Sequence, residues 1–395
     1  MKVVWLCSVI DPRFKKLFDR QDLTSFGVWV HHLIRVFEHE PSVELHVVCP
    51  NWYNKKEDFE VKVEGVTYHF YAYDIVQDHI GLPANFHPTN LDHCRKSVLA
   101  LLHRIGPDLV HIHGVDHPMY TNAVPEFCDQ FPTVLTVQRF NYLAPKGSAF
   151  LQLVCYYEDI LLRKLTHFGY RSGEMIDEIR KKNPSAQFYF HYYPFARPKV
   201  IKNHTEDNDT YDIAFFARIH RDKGIEDLIH MVKLLEDRGR SVTLRIFGKG
   251  DAKYLDYLHN LIRELKIAQN IQFSGFIENQ SKLHREIVKA RLCVLPTHYD
   301  IKPGTIIESL LMKLPVVTYD VGTMHEFNEE FDGVTLVEPH HIEKLADAVV
   351  HLLDDKELRK HKAEGAFNVA DYFYSDGKVK KDVLAMYRNI LSGDT

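Results

Sequence analysis

Between Tyr211 and Val317 four polar signals follow one another in a fixed order, each close behind a short apolar run. Ala217-Arg218-Ile219-His220-Arg221-Asp222-Lys223-Gly224 comes first, Phe247-Gly248-Lys249-Gly250-Asp251 second and Phe273-Ser274-Gly275-Phe276 third. Asp300 and Glu308, with seven residues between them, come last. Arg218 and Lys223 flank a strand-to-helix turn, where a rigid guanidinium and a mobile ammonium can converge on one phosphate group. Lys302-Pro303-Gly304-Thr305-Ile306 opens the next helix, whose unpaired N–H groups and dipole favour an anion. Glu308 lies one turn into that helix, and its carboxylate can accept two ribose hydroxyls. The pattern predicts phosphate held at one end and sugar at the other.

Each element also has a plainer reading. An Arg–Lys pair in a turn is usually solvated, Gly248 and Gly250 could mark an ordinary tight turn, and Glu308 could be a simple helix-start carboxylate. Position favours the ligand reading, because every signal sits at the carboxyl end of a predicted strand, where open α/β sheets bind ligands.

The elements that must position these residues are legible as alternating β-branched runs and longer segments of helical period, the pattern of parallel sheets wrapped by helices. Strands are expected at 3–8, 44–49, 109–111, 134–137 and 188–192, then at 213–217, 243–247, 271–273, 292–295, 316–319 and 334–337. Ile225, Leu228, Ile229, Val232 and Leu235 fall on one face of an intervening helix. Two doubly wound sheets follow. The stretch from Pro194 to Asp209 is Pro-bearing and then polar, reads as a linker that buries little, and separates domains at 1–195 and 208–375. An amphipathic final helix at 376–395 is expected to pack back on the first domain.

The 395 residues carry a formal charge of −5, are 45% hydrophobic and 26% charged, and so give no whole-chain attraction to nucleic acid or anionic lipid. Six scattered cysteines without a Cys-x-x-Cys pair read as reduced core residues of a cytoplasmic protein. The apolar start, Met1 to Ile10, is too short for a signal sequence and reads as a buried strand. No apolar stretch approaches the roughly 20 residues of a membrane span, which leaves peripheral contact at the inner face of a membrane as the only membrane role. Arg13, Lys15, Lys16 and Arg20 form a basic stretch in a predicted loop after the first strand, either solvated or turned towards an anionic acceptor or lipid head group. His111-Ile-His113-Gly-Val-Asp116-His117 approaches the His-x-His-x-Asp-His pattern of dinuclear zinc hydrolases, with one residue too many before the aspartate.

The second half resembles retaining glycosyltransferases of family 4, with specific motifs over roughly residues 208 to 330 and weaker echoes elsewhere. The resemblance implies a GT-B fold, two facing Rossmann-like domains with the donor held in the cleft between them. It assigns Arg218, Lys223 and Gly224 to the donor diphosphate, Gly275 and Phe276 to the base, Glu308 to the ribose, and the stretch Pro303, Gly304, Thr305 and Ile306 to the sugar and phosphates through the N–H groups of its non-proline residues; Gly248, in a Gly-rich turn after a strand, is a further donor-binding candidate. In the first half it assigns Gly27 to a loop approaching the diphosphate, and His113 and Gln138 to sugar hydroxyls.

Three departures from the family pattern stand out. Asp300 replaces the first Glu of an acid pair, Phe26-Gly27 replaces a Gly-Gly loop, and Gln138 replaces a His that faces the sugar. An amide can bond a hydroxyl but cannot take up a proton. The expected activity is transfer of a sugar, with retention, from a nucleoside diphosphate to a hydroxyl of a glycan or lipid-linked acceptor, with Arg218, Lys223, Asp300 and Gln138 at the reacting centre. No Asp-x-Asp motif stands where a metal-dependent transferase would need one, so neither metal nor other cofactor is expected. A homologue that binds a nucleotide-sugar or a protein partner without turnover is the alternative.

Overall fold

The computed structural model describes residues 1–20, 23, 27–54, 57–73, 91–143, 149–203, 209–300 and 302–393. Phe26 and most of the polar half of the expected linker, 204–208, lie outside them. The chain divides into two compact units, Met1–Pro194 with Asp376–Thr395, and Phe195–Ser375.

The first unit is built on strands β1 (Lys2–Leu6), β2 (Glu44–Pro50), β3 (Phe59–Val63), β4 (Val66–Tyr71), β5 (Leu109–His113), β6 (Thr133–Thr136), β7 (His167–Tyr170) and β8 (Gln187–Phe190). Their order is β3-β4-β2-β1-β5-β6-β7-β8, parallel throughout except for the antiparallel β3–β4 pair. Helices α1 (Pro12–Leu17), α2 (Val28–Phe37), α3 (Leu91–Ile105), α4 (Pro118–Thr121), α5 (Val124–Phe127), α6 (Ala149–Lys164) and α7 (Gly173–Lys182) accompany the sheet. The continuous apolar runs of β1 and β5 are buried from end to end apart from Lys2, as parallel strands covered on both faces must be.

Three strands escape the sequence pattern. β3 and β4 form a hairpin whose turn, Glu64-Gly65, has φ of 50° and 86°, the left-handed pair that two-residue hairpins require. β3 alternates half-buried with exposed residues, so it lacks the solid apolar run by which the buried strands are recognised. β7, His-Phe-Gly-Tyr, is short and contains a glycine at which a Cβ would come within 2.2 Å of Thr136 Oγ1.

The second unit has strands β9 (Tyr211–Phe216), β10 (Leu244–Phe247), β11 (Ile271–Gly275), β12 (Ala290–Leu295), β13 (Val316–Tyr319) and β14 (Thr335–Val337) in the order β11-β10-β9-β12-β13-β14, all parallel. Each overlaps an expected strand. Helices α8 (Ile225–Asp237), α9 (Ala252–Glu264), α10 (Gln280–Ile287), α11 (Gly304–Leu311), α12 (Ile342–Asp354) and α13 (Lys356–Tyr374) complete it. The five apolar residues at helical spacing in α8 are all buried, each contributing about 1.5–3 kcal/mol.

The stretch after Pro194 is not a bare linker. Lys202 is buried, pairs with Asp209 and donates to the Val288 carbonyl at 3.1 Å, while its own N–H bonds Met312. A lysine with its charge neutralised by a nearby aspartate can be buried, which a composition-based reading of polar residues as exposed overlooks. Helix α14 (Asp376–Ser392) returns to the first unit, where Tyr387 accepts from Trp5 Nε1 at 2.8 Å and meets His111 Nδ1 at 2.7 Å. Among the described residues no helix is long and apolar enough to cross a membrane.

Candidate functional site

In the second unit the expected site residues do gather at the carboxyl ends of the strands. β9 ends at Phe216, and the chain then turns through a short 3-10 segment, Arg221–Lys223, into α8. Gly224 makes that turn possible: its φ is 67°, and a Cβ there would lie 1.8 Å from the Pro296 carbonyl oxygen. The turn is thereby pressed against the end of β12, which brings Lys223 to Asp300 as an ion pair with both side chains under one-fifth exposed.

The two arginines of the turn differ sharply. Arg221 is consumed locally by Glu226 and lies over the rings of Tyr254 and Tyr257, at 4.9 and 5.1 Å. Arg218 is exposed and makes no hydrogen bond or ion pair to any described residue. A guanidinium left open beside an ammonium held by a replaceable carboxylate is what an incoming diphosphate needs.

Gly248 and Gly250 serve the backbone. A Cβ at Gly248 would meet the Ala217 carbonyl oxygen at 2.0 Å, and one at Gly250 would meet the Ile219 carbonyl oxygen at 2.6 Å. The two turns are laced together, Ile219 N–H donating to the Lys249 carbonyl at 3.0 Å, so the glycines fix the segment carrying Arg218. Asp251 caps α9 by accepting from Lys253 and Tyr254 N–H groups. Gly275, with φ of 72°, ends β11 in open space, and Phe276 beyond it is 60% exposed with the Lys249 ammonium 5.0 Å from its ring centre. An aromatic so exposed on a strand end has an open face for a planar ligand.

Helix α11 starts at Gly304 behind Pro303. The N–H groups of Gly304 and Thr305 have no acceptor among the described residues, as first-turn donors of a helix do not unless capped. Ile306 departs from the expectation of an open N–H: it is fully buried and its N–H bonds the Pro303 carbonyl at 3.1 Å, because the first turn closes on itself. The Thr305 hydroxyl is likewise engaged, donating to the Phe216 carbonyl at 2.7 Å and tying the helix start to the end of β9. Lys302 has φ of 52° and is buried, with its ammonium on Glu326 at 2.7 Å, so it turns away from the helix start.

Glu308 is held from a direction that the motif does not reveal. Its Oε1 accepts from Gln280 Nε2 at 3.3 Å, and its Oε2 lies 3.2 Å from His284 Nε2. Gln280 and His284 stand four residues apart on α10 and so share a face. That spacing is the only signal by which they could have been found.

In the first unit the expected residues also lie at strand ends. Gly27, with φ of 66°, caps α2 and sits where a Cβ would meet the Ser8 carbonyl oxygen at 2.4 Å, so the loop is packed on the end of β1. His113 ends β5, fully shielded, with Nδ1 2.9 Å from the Tyr193 hydroxyl and Nε2 buried without a hydrogen-bond partner. Gln138 follows β6 and lies beside Gly114, where a Cβ would come 3.2 Å from Gln138 Cγ. Its carbonyl accepts from Arg171 at 2.6 Å, and its Nε2 is buried without a partner in bonding geometry, although it lies near enough to the Tyr193 phenol to offset part of the rise that burial gives that phenol's pKa.

Burial holds His111 and His113 neutral, far below the ordinary imidazole pKa, and takes His191 and His117 down to about 4. His111 bonds Tyr387 and Thr136 Oγ1, both at 2.7 Å, and points away from Asp116 and His117. The zinc-hydrolase reading therefore fails: these four residues do not converge. The basic stretch is also reassigned. It lies partly in α1, and Arg13 is spent on Asp11 and Glu38, while Arg20 donates to the Tyr53 carbonyl at 2.9 Å.

Residues 196–369 match the family Glycosyl transferases group 1. An alpha-D-kanosaminyltransferase of Streptomyces kanamyceticus is 30% identical over 49% of this chain and 50% of its own. A poly(glycerol-phosphate) alpha-glucosyltransferase of Bacillus subtilis is 27% identical over 51% of this chain and 30% of its own. The chain thus spans half or less of these two relatives. Among solved structures, sucrose-phosphate synthase from Thermosynechococcus elongatus superposes with a TM-score of 0.74 over 100% of both chains at 14% identity. Anabaena Alr3699/HepE in complex with UDP gives 0.70 over 98% of this chain and 100% of its own, also at 14% identity. The match to Glycosyl transferases group 1 is confined to residues 196–369, less than half of the chain, while the chain as a whole has the GT-B fold of the solved structures.

Proposed function

We propose that this protein is a retaining glycosyltransferase of the family 4 type, which transfers a sugar from a nucleoside diphosphate to an acceptor hydroxyl in glycan or glycolipid synthesis. One observation carries the reading: in the turn after β9, Arg218 has no side-chain partner among the described residues, and the Lys223 ammonium has one there, an exchangeable ion pair with Asp300. The open N–H groups of Gly304 and Thr305 add two donors for an anion at the start of α11.

Breaking the anomeric C–O bond leaves negative charge on the β-phosphate. Fixed cations and N–H dipoles aimed there stabilise that charge more as it develops than in the ground state. Arg218 and Lys223 supply the cations, and Asp300, released from Lys223, becomes an acceptor for a sugar hydroxyl. The acceptor oxygen bonds the anomeric carbon on the face the phosphate leaves, and its proton passes to the departing phosphate oxygen. Glu308, braced by Gln280 and His284, takes the ribose, and Phe276 offers its face to the base. No metal is required for these steps. In the first unit, the His113 imidazole and the Gln138 amide are neutral groups of the kind that bond hydroxyls.

The second reading, a homologue that binds without turnover, draws on Asp300 being already engaged by Lys223. Incubation with uridine, guanosine and adenosine diphosphate sugars, with thermal shift for binding and product analysis for slow hydrolysis, separates the two. Binding with hydrolysis or transfer is expected. Binding by the parent without any turnover, together with turnover gained by combining Gln138→His and Asp300→Glu, would establish the second reading instead.

A further inference from the structure

We propose that Asp227, His298 and His340 form a site for a divalent transition-metal ion, zinc as the reference case, distinct from the residues assigned to the donor. The three come from separate elements of the second unit: Asp227 from the first turn of α8, His298 from the segment after β12, and His340 from the segment after β14. Their nearest ligand atoms all lie within 4.8 Å of one another.

Zinc binds imidazole nitrogen and carboxylate oxygen at about 2.0–2.2 Å, which sets ligand atoms of a tetrahedral site roughly 3.3–3.5 Å apart. His298 Nε2 already stands 3.1 Å from Asp227 Oδ2. The His340 ring lies against that of His298, with centroids 4.6 Å apart, and is exposed, so a small side-chain rotation brings its nitrogen to the same point. The Tyr319 hydroxyl donates to the same Oδ2 of Asp227 at 3.0 Å and so fixes the orientation of the carboxylate. A second hydrogen bond of this kind is the usual support of a metal-bound carboxylate.

A simple His–Asp hydrogen bond accounts for His298 and Asp227 but leaves His340 unexplained. His340 sits at φ of 60°, a left-handed conformation that aligns a third-segment imidazole with the pair. Two imidazoles and one carboxylate favour zinc, cobalt or nickel over magnesium, which prefers oxygen ligands. The remaining coordination position is open to water. His298 N–H donates to the Asp222 carbonyl at 2.8 Å, so a bound ion would clamp the turn before Lys223 to the segments after β12 and β14 and stiffen the unit. Its role is structural support, and it takes no part in bond cleavage.

The purified full chain, freed of metal and dialysed against zinc, should retain one ion per chain by elemental analysis, and calorimetry should give a matching stoichiometry. His340→Asn tests the site without disturbing the fold, since asparagine also suits the left-handed backbone and the position is exposed. This variant and His298→Ala should each weaken zinc binding at least tenfold, and Tyr319→Phe about tenfold through the lost orientation of Asp227. His361→Ala, at an exposed histidine near Asp332, should bind like the parent, and excess magnesium should not compete. Zinc should raise the melting temperature of the parent and not of His340→Asn. Absence of stoichiometric zinc, or equal retention by the parent, His340→Asn and His298→Ala, would overturn the site. No sugar nucleotide enters the experiment, so its outcome is independent of the transferase reading.

Discussion

The polar groups at the strand ends of the two units are organised in opposite ways. In the first unit they are neutral and sewn into the core: His111, Thr136 and His191 form a buried chain, with Thr136 Oγ1 2.8 Å from His191 Nε2, while Tyr387 bonds His111 and Tyr193 bonds the neighbouring His113. In the second they are charged: among the described residues Arg218 is unengaged, Lys223 pairs with Asp300, and Glu308 is held by Gln280 and His284 at its partly exposed carboxylate. A buried neutral network fixes geometry and resists charging, whereas accessible ions can trade an internal partner for a ligand. Under the proposed function, the second unit would handle charge and the first would orient neutral groups.

The largest effect that separates the units should come from pH. His191 is held neutral by burial, with a pKa of about 4 against the ordinary value near 6.5. A depressed histidine pKa stabilises the fold fully above the unfolded-state value, and that stability is lost as pH falls from about 6.5 towards 4, on the order of 3 kcal/mol for one such group. All three tryptophans, Trp5, Trp29 and Trp52, lie in the first unit, so their fluorescence follows that unit alone. Its urea midpoint should drop between pH 7 and pH 4.5, with a shallower drop in His191→Gln. A midpoint indifferent to pH would remove the neutral-network half of the comparison.

A smaller effect is expected at Glu308, the proposed ribose carboxylate. Glu308→Ala should weaken nucleoside diphosphate binding by roughly 1.5–3 kcal/mol, the range for a charged hydrogen bond, in calorimetry at constant salt. Unchanged affinity would reduce Glu308 to a residue that anchors α10 through His284.

The smallest effect is expected at Gln138. Gln138→His exchanges one hydroxyl-bonding group for another and should leave turnover within about tenfold of the parent. A gain well beyond tenfold would mean that a proton-accepting group at this position matters and that the first unit does more than orient.

The second sheet was legible in the sequence because its strands, the alternating β11 apart, carry short mainly apolar runs, and β11 itself leads into the Gly275-Phe276 signal. The same holds for β1, β2, β5, β6 and β8. The β3–β4 hairpin was not, since β3 is exposed on alternate residues and its turn is Glu-Gly rather than Asn-Gly or Asp-Gly. Within the site, spacing identified which residues gather at the strand ends, Lys223 and Asp300 among them, but not what already occupies them. The Lys223–Asp300 pair, the anchoring of Thr305 to Phe216 and the bracing of Glu308 by α10 depend on contacts between elements far apart in sequence, where no local pattern records the partner. His113 was placed at its strand end by the motif, yet its neutrality follows from burial under Tyr193 and Trp5, which only the packing reveals.

The central claim is that the second unit's cations act on charge developing at a leaving diphosphate. Steady-state transfer or hydrolysis by Lys223→Ala, with the donor that the parent turns over, tests it most directly. The account predicts a loss of turnover of about 10²-fold or more, with the fold intact by circular dichroism, because this ammonium acts mainly in the transition state. Turnover within a few-fold of the parent would contradict it and leave Lys223 as no more than the ion-pair partner of Asp300.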